Sequence, residues 1–321
     1  MKATPKLLRW LIGSGSDPSV RARYWREIAQ VEEGHPGLRK AVREIGRTGW
    51  AADLLRWQGT EGQWAARGTS AFELYRPKYI ATNWIAIVLA DLGMTRSDPR
   101  IRRAAGLLLN RWSRKGGDLD GRSGEICITG NAVRVLLRFG YLDHPVVQRS
   151  IAWIVGAQKR DGGWHCFPSS KGTLDGWEGL AALAEIPLAS RDASVRTAIE
   201  RGAEFYLKRH LSEEGPARYP PWFRIHYPNH YYYDLLVGLR VLTKLGYGPD
   251  RRLRPALRWL KEKRRTDGSW ALDAAHPDLD RKLAGYSLRG MIFPAMLEPV
   301  GEPSRWATIE ALSVLSRIDS T

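Results

Sequence analysis

Apolar and polar positions define two kinds of helix that alternate along most of the chain. Segment 125–141, EICITGNAVRVLLRFGY, is apolar or small around most of its circumference, which is typical of a largely buried helix. Segment 142–158, LDHPVVQRSIAWIVGAQ, begins with Asp143 and Pro145, a helix start signal, and carries one apolar stripe opposite a polar face. The same pair of patterns recurs on both sides of these segments. We therefore predict helical hairpins, each with a buried helix followed by an amphipathic one.

The turns between hairpins carry a repeated spacing. The stretches 58–64 and 158–164 share the order Gln, three residues, Gly, one residue, Trp, and 264–270 repeats it with Arg264 in place of Gln. Trp64, Trp164 and Trp270 are 100 and 106 positions apart, and weaker glycine-containing copies fall between them. The unit is therefore about 50 residues long, and a period of this size indicates a repeat architecture.

Buried helices that alternate with amphipathic ones predict an inner ring of helices wrapped by an outer ring. We predict an all-α fold, an α/α toroid of about five to six helical hairpins. The inner helices are predicted near 79–93, 125–139, 173–186, 230–245 and 303–317. We predict a single domain over 1–321, in which 1–34 form an N-terminal helical extension.

The repeated turn resembles the QW motif of the terpene cyclase and protein prenyltransferase superfamily, whose members are α/α toroids. The apolar pair that precedes the motif is also present, as Trp153-Ile154 and Trp259-Leu260. The resemblance covers roughly residues 35 to 318. It implies that the Gln amide caps a helix end and that the Trp packs between hairpins. It says little about the reaction.

The chain carries a formal net charge of +16, which fits either anionic partners or a solvated basic surface. Its basic residues are spread along helices and do not interleave with aromatic residues, so we expect no nucleic-acid partner. No apolar run is long enough to span a bilayer, although peripheral contact with a membrane surface stays open. The two cysteines exclude a disulfide framework and favour a cytoplasmic location. The oligomeric state is not specified by these patterns.

In an up-down ring of helices, the connections that lead into the inner helices lie at one end of the barrel. Polar residues at these positions should therefore meet at one rim. We name Asp234, Glu178 and Asp120 as candidate catalytic acids, because the Asp-x-Asp-Asp proton donor of class II terpene cyclases does not occur in this chain. Asp118-Leu-Asp120 is a half-match to it. The Asp-Asp-x-x-Asp magnesium motif is absent as well.

Cys127, Cys166 and His230 are the candidate ligands of a Zn²⁺ ion, since a Cys2His set is one that catalytic zinc uses. The resemblance to prenyltransferases supports this set, because those enzymes hold zinc with an Asp-x-Cys and a later His. Here Glu125 replaces the Asp, and Cys166 has no counterpart. His226 and His165 are reserve ligands. The alternatives are two reduced core cysteines or one disulfide.

Trp84, Trp177, Tyr231 and Trp306 are predicted to line an apolar cavity and bind substrate, with ordinary packing as the alternative. Aromatic faces there would stabilise a carbocation. Together these patterns favour an enzyme that acts on an apolar or isoprenoid-like small molecule in the central cavity, with zinc assistance left open. The alternative is a non-catalytic toroid that binds a hydrophobic ligand or a protein partner.

Overall fold

The computed structural model of the chain describes residues 4–64, 74–75, 78–113, 125–167, 169–213, 219–274 and 297–319. Within these ranges the regular structure is helical, apart from one antiparallel ladder between β1 (Trp270–Ala271) and β2 (Pro303–Ser304). The all-α class predicted from the sequence is therefore confirmed. No helix in the described part of the chain is long and apolar enough to cross a membrane.

The α-helices follow one another in the order that the alternating pattern predicts. They are α1 (Pro5–Ile12), α2 (Pro18–Arg23), α3 (Pro36–Glu44), α4 (Gly49–Leu55), α5 (Thr82–Asp91), α6 (Pro99–Ser113), α7 (Ile126–Phe139), α8 (Pro145–Gly156), α9 (Glu178–Leu183), α10 (Ala193–Lys208), α11 (Leu235–Lys244), α12 (Arg254–Glu262) and α13 (Arg305–Asp319). A π-helical turn at Tyr24–Ile28 continues α2.

Contacts divide the chain into two compact units. The terminal unit comprises residues 1–56, 219–229 and 234–321, and the central unit comprises 57–218 and 230–233. Each unit therefore draws on separate stretches of sequence, and each contains helices of both predicted kinds. The single domain over 1–321 stays a prediction.

The central unit is built around α7, which packs against α5 on one side and α9 on the other. Nearly every residue of α5 and α9 is buried, whereas α8 buries only one stripe, as a buried helix and an amphipathic one should. The predicted inner helix at 173–186 is shorter than expected. A 3₁₀ turn at Leu174–Gly176 precedes it, and α9 begins at Glu178.

In the terminal unit, α11 packs against α12 and α13. The helix predicted at 230–245 begins only at Leu235, because Asp234 is its N-cap and accepts a hydrogen bond from the Val237 main-chain N–H at 2.8 Å. The predicted N-terminal extension packs against α13 through α2 and the π-helical turn.

Buried ion pairs join the N-terminal segment to α13. The Glu310 carboxylate accepts hydrogen bonds from Arg23 and, at 2.9 Å, from Arg240. Burial acts to raise the pKa of Glu310, but the two guanidinium groups outweigh it and lower that pKa to about 2. The carboxylate is therefore ionised at neutral pH and holds both arginines in place.

In each repeated turn, the side chain at the Gln position donates a hydrogen bond to the carbonyl of the glycine four residues later. Gln158 Nε2 donates to the Gly162 carbonyl at 2.9 Å and to the Ala198 carbonyl of α10 at 2.8 Å. Gln58 makes the equivalent pair of bonds, and Arg264 Nε donates to the Gly268 carbonyl at 3.2 Å. The Gln amide thus ties its turn to the next amphipathic helix, in addition to closing the turn.

The three repeated tryptophans are fully buried, as predicted. Trp164 Nε1 donates to the Ile154 carbonyl at 2.8 Å, and Trp270 makes the equivalent bond to Leu260 at 2.7 Å. A Cβ added to Gly179 of α9 would lie 2.6 Å from the Trp164 ring, and one added to Gly202 would lie 2.9 Å from it. Trp164 therefore packs against both helices of the following hairpin.

Candidate functional site

An apolar cavity lies within the central unit, along α5 and the first turns of α7. Its volume is about 400 Å³, including the part that opens to solvent. Residues from α5, α6, α7 and segment 230–233 form its wall, among them Trp84, Ile87, Leu108, Cys127, Asn131 and Tyr231. A largely apolar wall with a few polar groups is typical of a small-molecule site.

Aromatic side chains form one end of this wall. Trp84 donates its Nε1–H to the Tyr75 carbonyl at 2.7 Å, which fixes the orientation of the indole. The Trp84 and Tyr231 ring centroids are 5.7 Å apart, and the hydroxyls of Tyr231 and Tyr79 are 2.9 Å apart. Trp84 and Tyr231, both predicted to bind substrate, thus line one cavity.

His230 belongs to the same aromatic cluster. Its imidazole centroid is 5.1 Å from the Tyr79 ring and 5.2 Å from the Trp84 ring. Its carbonyl accepts a hydrogen bond from Asn131 Nδ2 at 2.8 Å, and the same amide donates to the Cys127 carbonyl at 2.9 Å. Asn131 therefore fixes the 230–233 segment against the first turn of α7.

Cys127 and Cys166 are both free and half-buried, and each affects the pKa of the other. Hydrogen bonding with the Cys127 thiol lowers the pKa of Cys166, against the effect of burial. The same interaction, together with burial, raises the pKa of Cys127. Cys166 is therefore the more acidic thiol of the pair. The Cys127 thiol donates a hydrogen bond to Glu125 Oε2 at 3.8 Å.

Glu178 is the first residue of α9 and is completely buried. Neither of its carboxyl oxygens accepts a hydrogen bond from another residue in the described part of the chain. Burial raises the pKa of Glu178 well above its ordinary value, the Cys166 sulfur raises it further, and Arg134 opposes both. Burial therefore favours the protonated form of this carboxyl.

Gly130 explains how α9 comes so close to α7. A Cβ on Gly130 would lie 2.7 Å from the Cβ and the main chain of Glu178. Only glycine allows this approach, which places the Glu178 carboxyl near the cysteine pair. Trp177 is buried beside it, with the Arg134 guanidinium 5.2 Å from its ring.

The remaining candidates from the sequence lie elsewhere. Asp234 and Trp306 line a second cavity, of about 240 Å³, within the terminal unit. There Asp234 Oδ2 accepts a hydrogen bond from the His226 main-chain N–H at 2.9 Å, in addition to the cap bond, so the carboxylate serves the start of α11. Asp118 and Asp120 lie outside the described residues.

The three predicted zinc ligands do not form a donor set. Among the described residues, no three His, Cys, Asp or Glu side chains are placed to hold one metal ion. His230 does not complete such a set, because its ring packs against the rings of Tyr79 and Trp84. His165 forms a turn with Phe167, whose main-chain N–H donates to the imidazole at 2.9 Å. Zinc binding stays a prediction, and we derive no step from it.

Sequence reasoning missed Asn131, Tyr79, Gly130 and Arg134. Asn131 and Arg134 are both buried in α7, where a polar residue on a largely apolar helix was the available signal. Nothing in the sequence marks Gly130 or Tyr79, since their roles depend on partners far along the chain.

Comparisons with solved structures find similarity only at low sequence identity. No family model and no curated protein matches it. It is similar to the crystal structure of a protein from Actinoplanes, 18% identical over 95% of this chain and 89% of that one, with a TM-score of 0.44. A variant of the type II terpene cyclase MstE from Scytonema is 16% identical over 96% and 88% of the two chains, with a TM-score of 0.45. We base the functional proposal on the residues of the site.

Proposed function

We propose that the chain is a terpene cyclase-like enzyme that binds an apolar, isoprenoid-like substrate in the cavity of the central unit. Glu178 is its proton donor. The observation that carries this proposal is the completely buried Glu178 carboxyl, which has no hydrogen-bond partner in another described residue. It is close enough to Cys127 of the cavity wall to raise the pKa of that thiol.

A buried acid without partners is costly for folding, so its presence favours a role in chemistry. Burial raises the pKa of Glu178 and so favours the protonated form, which a general acid needs. The proton moves from the carboxyl to a carbon of a substrate C=C bond, which leaves a carboxylate and a carbocation. Arg134 favours the carboxylate form and so assists the transfer. The last carbocation loses a proton to solvent, and the Glu178 carboxylate takes up one proton from solvent, which closes the cycle.

The cavity wall suits the cation that this step produces. The faces of Trp84 and Tyr231 provide negative potential without a nucleophilic oxygen. The apolar wall also excludes water, which would otherwise capture the cation. Such a wall binds hydrocarbon chains by burial of apolar surface.

Incubation with a panel of linear isoprenoids, such as farnesol, geranylgeraniol and squalene, tests the proposal by gas chromatography and mass spectrometry. We expect the wild type to convert at least one of them into an isomer. Glu178→Gln should lower the rate by about 10²–10⁴-fold, the usual contribution of a general acid. Ligand-induced shifts in melting temperature should persist in this variant.

Glu185→Gln is the matched control, since Glu185 is another mostly buried glutamate and pairs with Arg138. This variant should keep the wild-type rate. Equal rates for Glu178→Gln and the wild type would refute the assignment. Binding of isoprenoids without any conversion by the wild type would favour the non-catalytic alternative, a hydrophobic-ligand carrier.

A further inference from the structure

We propose that the substrate of the cavity in the central unit carries a hydroxyl group, which donates a hydrogen bond to the side-chain oxygen of Asn131 or Asn83. The inference rests on the proposed function, because it names the head group of that substrate. It selects an isoprenoid alcohol over an ether, a hydrocarbon or a diphosphate with the same chain.

The orientation of the Asn131 amide is fixed by the main chain. Its Nδ2 donates to the Cys127 carbonyl at 2.9 Å and to the His230 carbonyl at 2.8 Å. The reverse orientation would set Oδ1 against two carbonyl oxygens, which are acceptors as well. Both amide hydrogens are therefore in use, and Oδ1 is the polar atom of this side chain that remains for a ligand.

Two amide oxygens of the cavity wall need a donor. Asn131 and Asn83 both line the cavity, on α7 and on the first turn of α5. The Oδ1 atom of each is buried and accepts no hydrogen bond within the described part of the chain. A buried acceptor without a donor destabilises a fold. Two of them in one wall therefore indicate that a bound molecule supplies the donor.

The indole of the same wall does not supply it. The Trp84 N–H is committed to the Tyr75 carbonyl at 2.7 Å. The hydroxyl of Tyr231 lies 2.9 Å from that of Tyr79, so these two groups bond to each other. The amide oxygens are thus left to a donor that the ligand brings.

A neutral hydroxyl is the donor that suits this wall. Among the described residues that line the cavity, none has a charged side chain. A diphosphate or an ammonium group buried there would lack an opposite charge. An ether presents only an acceptor, and a hydrocarbon presents neither a donor nor an acceptor. A hydroxyl donates its hydrogen to an amide oxygen, while the chain is buried against the apolar part of the wall.

Isothermal titration calorimetry of the wild-type chain with farnesol and with farnesyl methyl ether tests this proposal. The two ligands share the hydrocarbon chain and the oxygen, but only farnesol has an O–H donor. We expect farnesol to bind about 10–100-fold more tightly, as for a buried acceptor that gains or lacks its donor. Equal dissociation constants would overturn the proposal.

The same titrations on Glu178→Gln separate this proposal from the proposed function. The preference for the alcohol belongs to binding, so it should persist in this variant. A wild type that prefers farnesol but converts no isoprenoid would refute the catalytic function and leave the hydroxyl site standing. Conversion of isoprenoids without any preference for the alcohol would have the opposite meaning.

Leucine variants of the two asparagines locate the hydroxyl. Asn83→Leu or Asn131→Leu should lower the ratio of the ether and farnesol dissociation constants about 10-fold. Asn110→Leu is the matched control, because Asn110 is exposed on α6 and should keep the wild-type ratio. Circular dichroism checks the fold of Asn131→Leu, which also loses the bonds to the Cys127 and His230 carbonyls. Folded variants that both keep the wild-type ratio would overturn the proposal.

A crystal structure of the farnesol complex decides the question without any variant. The hydroxyl oxygen should lie about 2.5–3.0 Å from Oδ1 of Asn131 or Asn83, the range of an O–H to O hydrogen bond. A hydroxyl that contacts neither oxygen would overturn the proposal.

Discussion

Replacement of Trp164 by alanine tests the packing that organises the central unit. Trp164 is completely buried, and its ring contacts Gly179 and Gly202 in the next hairpin. Truncation of a buried Trp to Ala costs about 3–5 kcal/mol. The Ile154 carbonyl also loses its hydrogen bond from the indole, which adds about 1 kcal/mol. The expected loss is therefore about 4–6 kcal/mol, a large share of the roughly 5–15 kcal/mol that stabilises an ordinary domain.

Urea unfolding followed by circular dichroism measures this loss. Trp164→Phe should fold even if Trp164→Ala does not, because it keeps most of the ring volume, and it should lose about 1–2 kcal/mol. Trp57, which is 43% exposed, provides the control, since Trp57→Ala should change stability by less than about 1 kcal/mol. If Trp164→Ala and Trp57→Ala unfold at the same urea concentration, the structural role of the repeated Trp is wrong.

Three further predictions concern the packing and the charges around the two cavities. Gly130→Ala should destabilise the chain by about 1–3 kcal/mol, because the added methyl group overlaps Glu178. The control Gly106→Ala has open space around the new methyl group and should stabilise the chain by about 0.5–1 kcal/mol. Equal urea midpoints for the two variants would contradict the close contact between Gly130 and Glu178. The pKa of Glu310 is about 2 in the folded chain and about 4.3 in an unfolded chain. The ionised carboxylate therefore stabilises the fold fully above about pH 4.3, and this stabilisation is lost as the pH falls towards 2. Glu310→Gln should lose this part of the pH dependence of unfolding, and a pH profile identical to that of the wild type would disprove the prediction. Asp234→Ala should lower the stability by about 1 kcal/mol, because α11 loses its N-cap. Asp234→Asn, which can still cap the helix, should keep both the melting temperature and the isoprenoid conversion. A stable but inactive Asp234→Asn would show that Asp234 is the acid.

The helices were predictable because burial leaves a regular trace in the sequence. Segment 125–139 is apolar around its circumference, and α7 spans Ile126–Phe139. The start of α11 was not predicted, because the tyrosines before Asp234 continue the apolar pattern although the backbone there is not helical. His230, with φ of +48°, lies in that turn.

The site was only partly predictable, because its geometry depends on pairs that are far apart in sequence. The candidates Trp84, Tyr231 and Cys127 line one cavity, since all three lie at or near the beginnings of buried helices. The bond from Asn131 to the His230 carbonyl spans 99 positions, and no local pattern specifies it. The ion pairs of Arg23 with α13 span 287 positions, so the packing of the N-terminal segment could not be foreseen either.

The origin of the proton tests the central claim most directly. An active isoprenoid from the panel is incubated with the enzyme in D₂O, and the isolated product is analysed by mass spectrometry. If Glu178 exchanges its proton with solvent and then protonates the substrate, the wild-type product carries one deuterium on carbon, and Glu178→Gln forms almost none of this product. A product without deuterium, or a deuterated product formed equally fast by Glu178→Gln, would contradict protonation by Glu178.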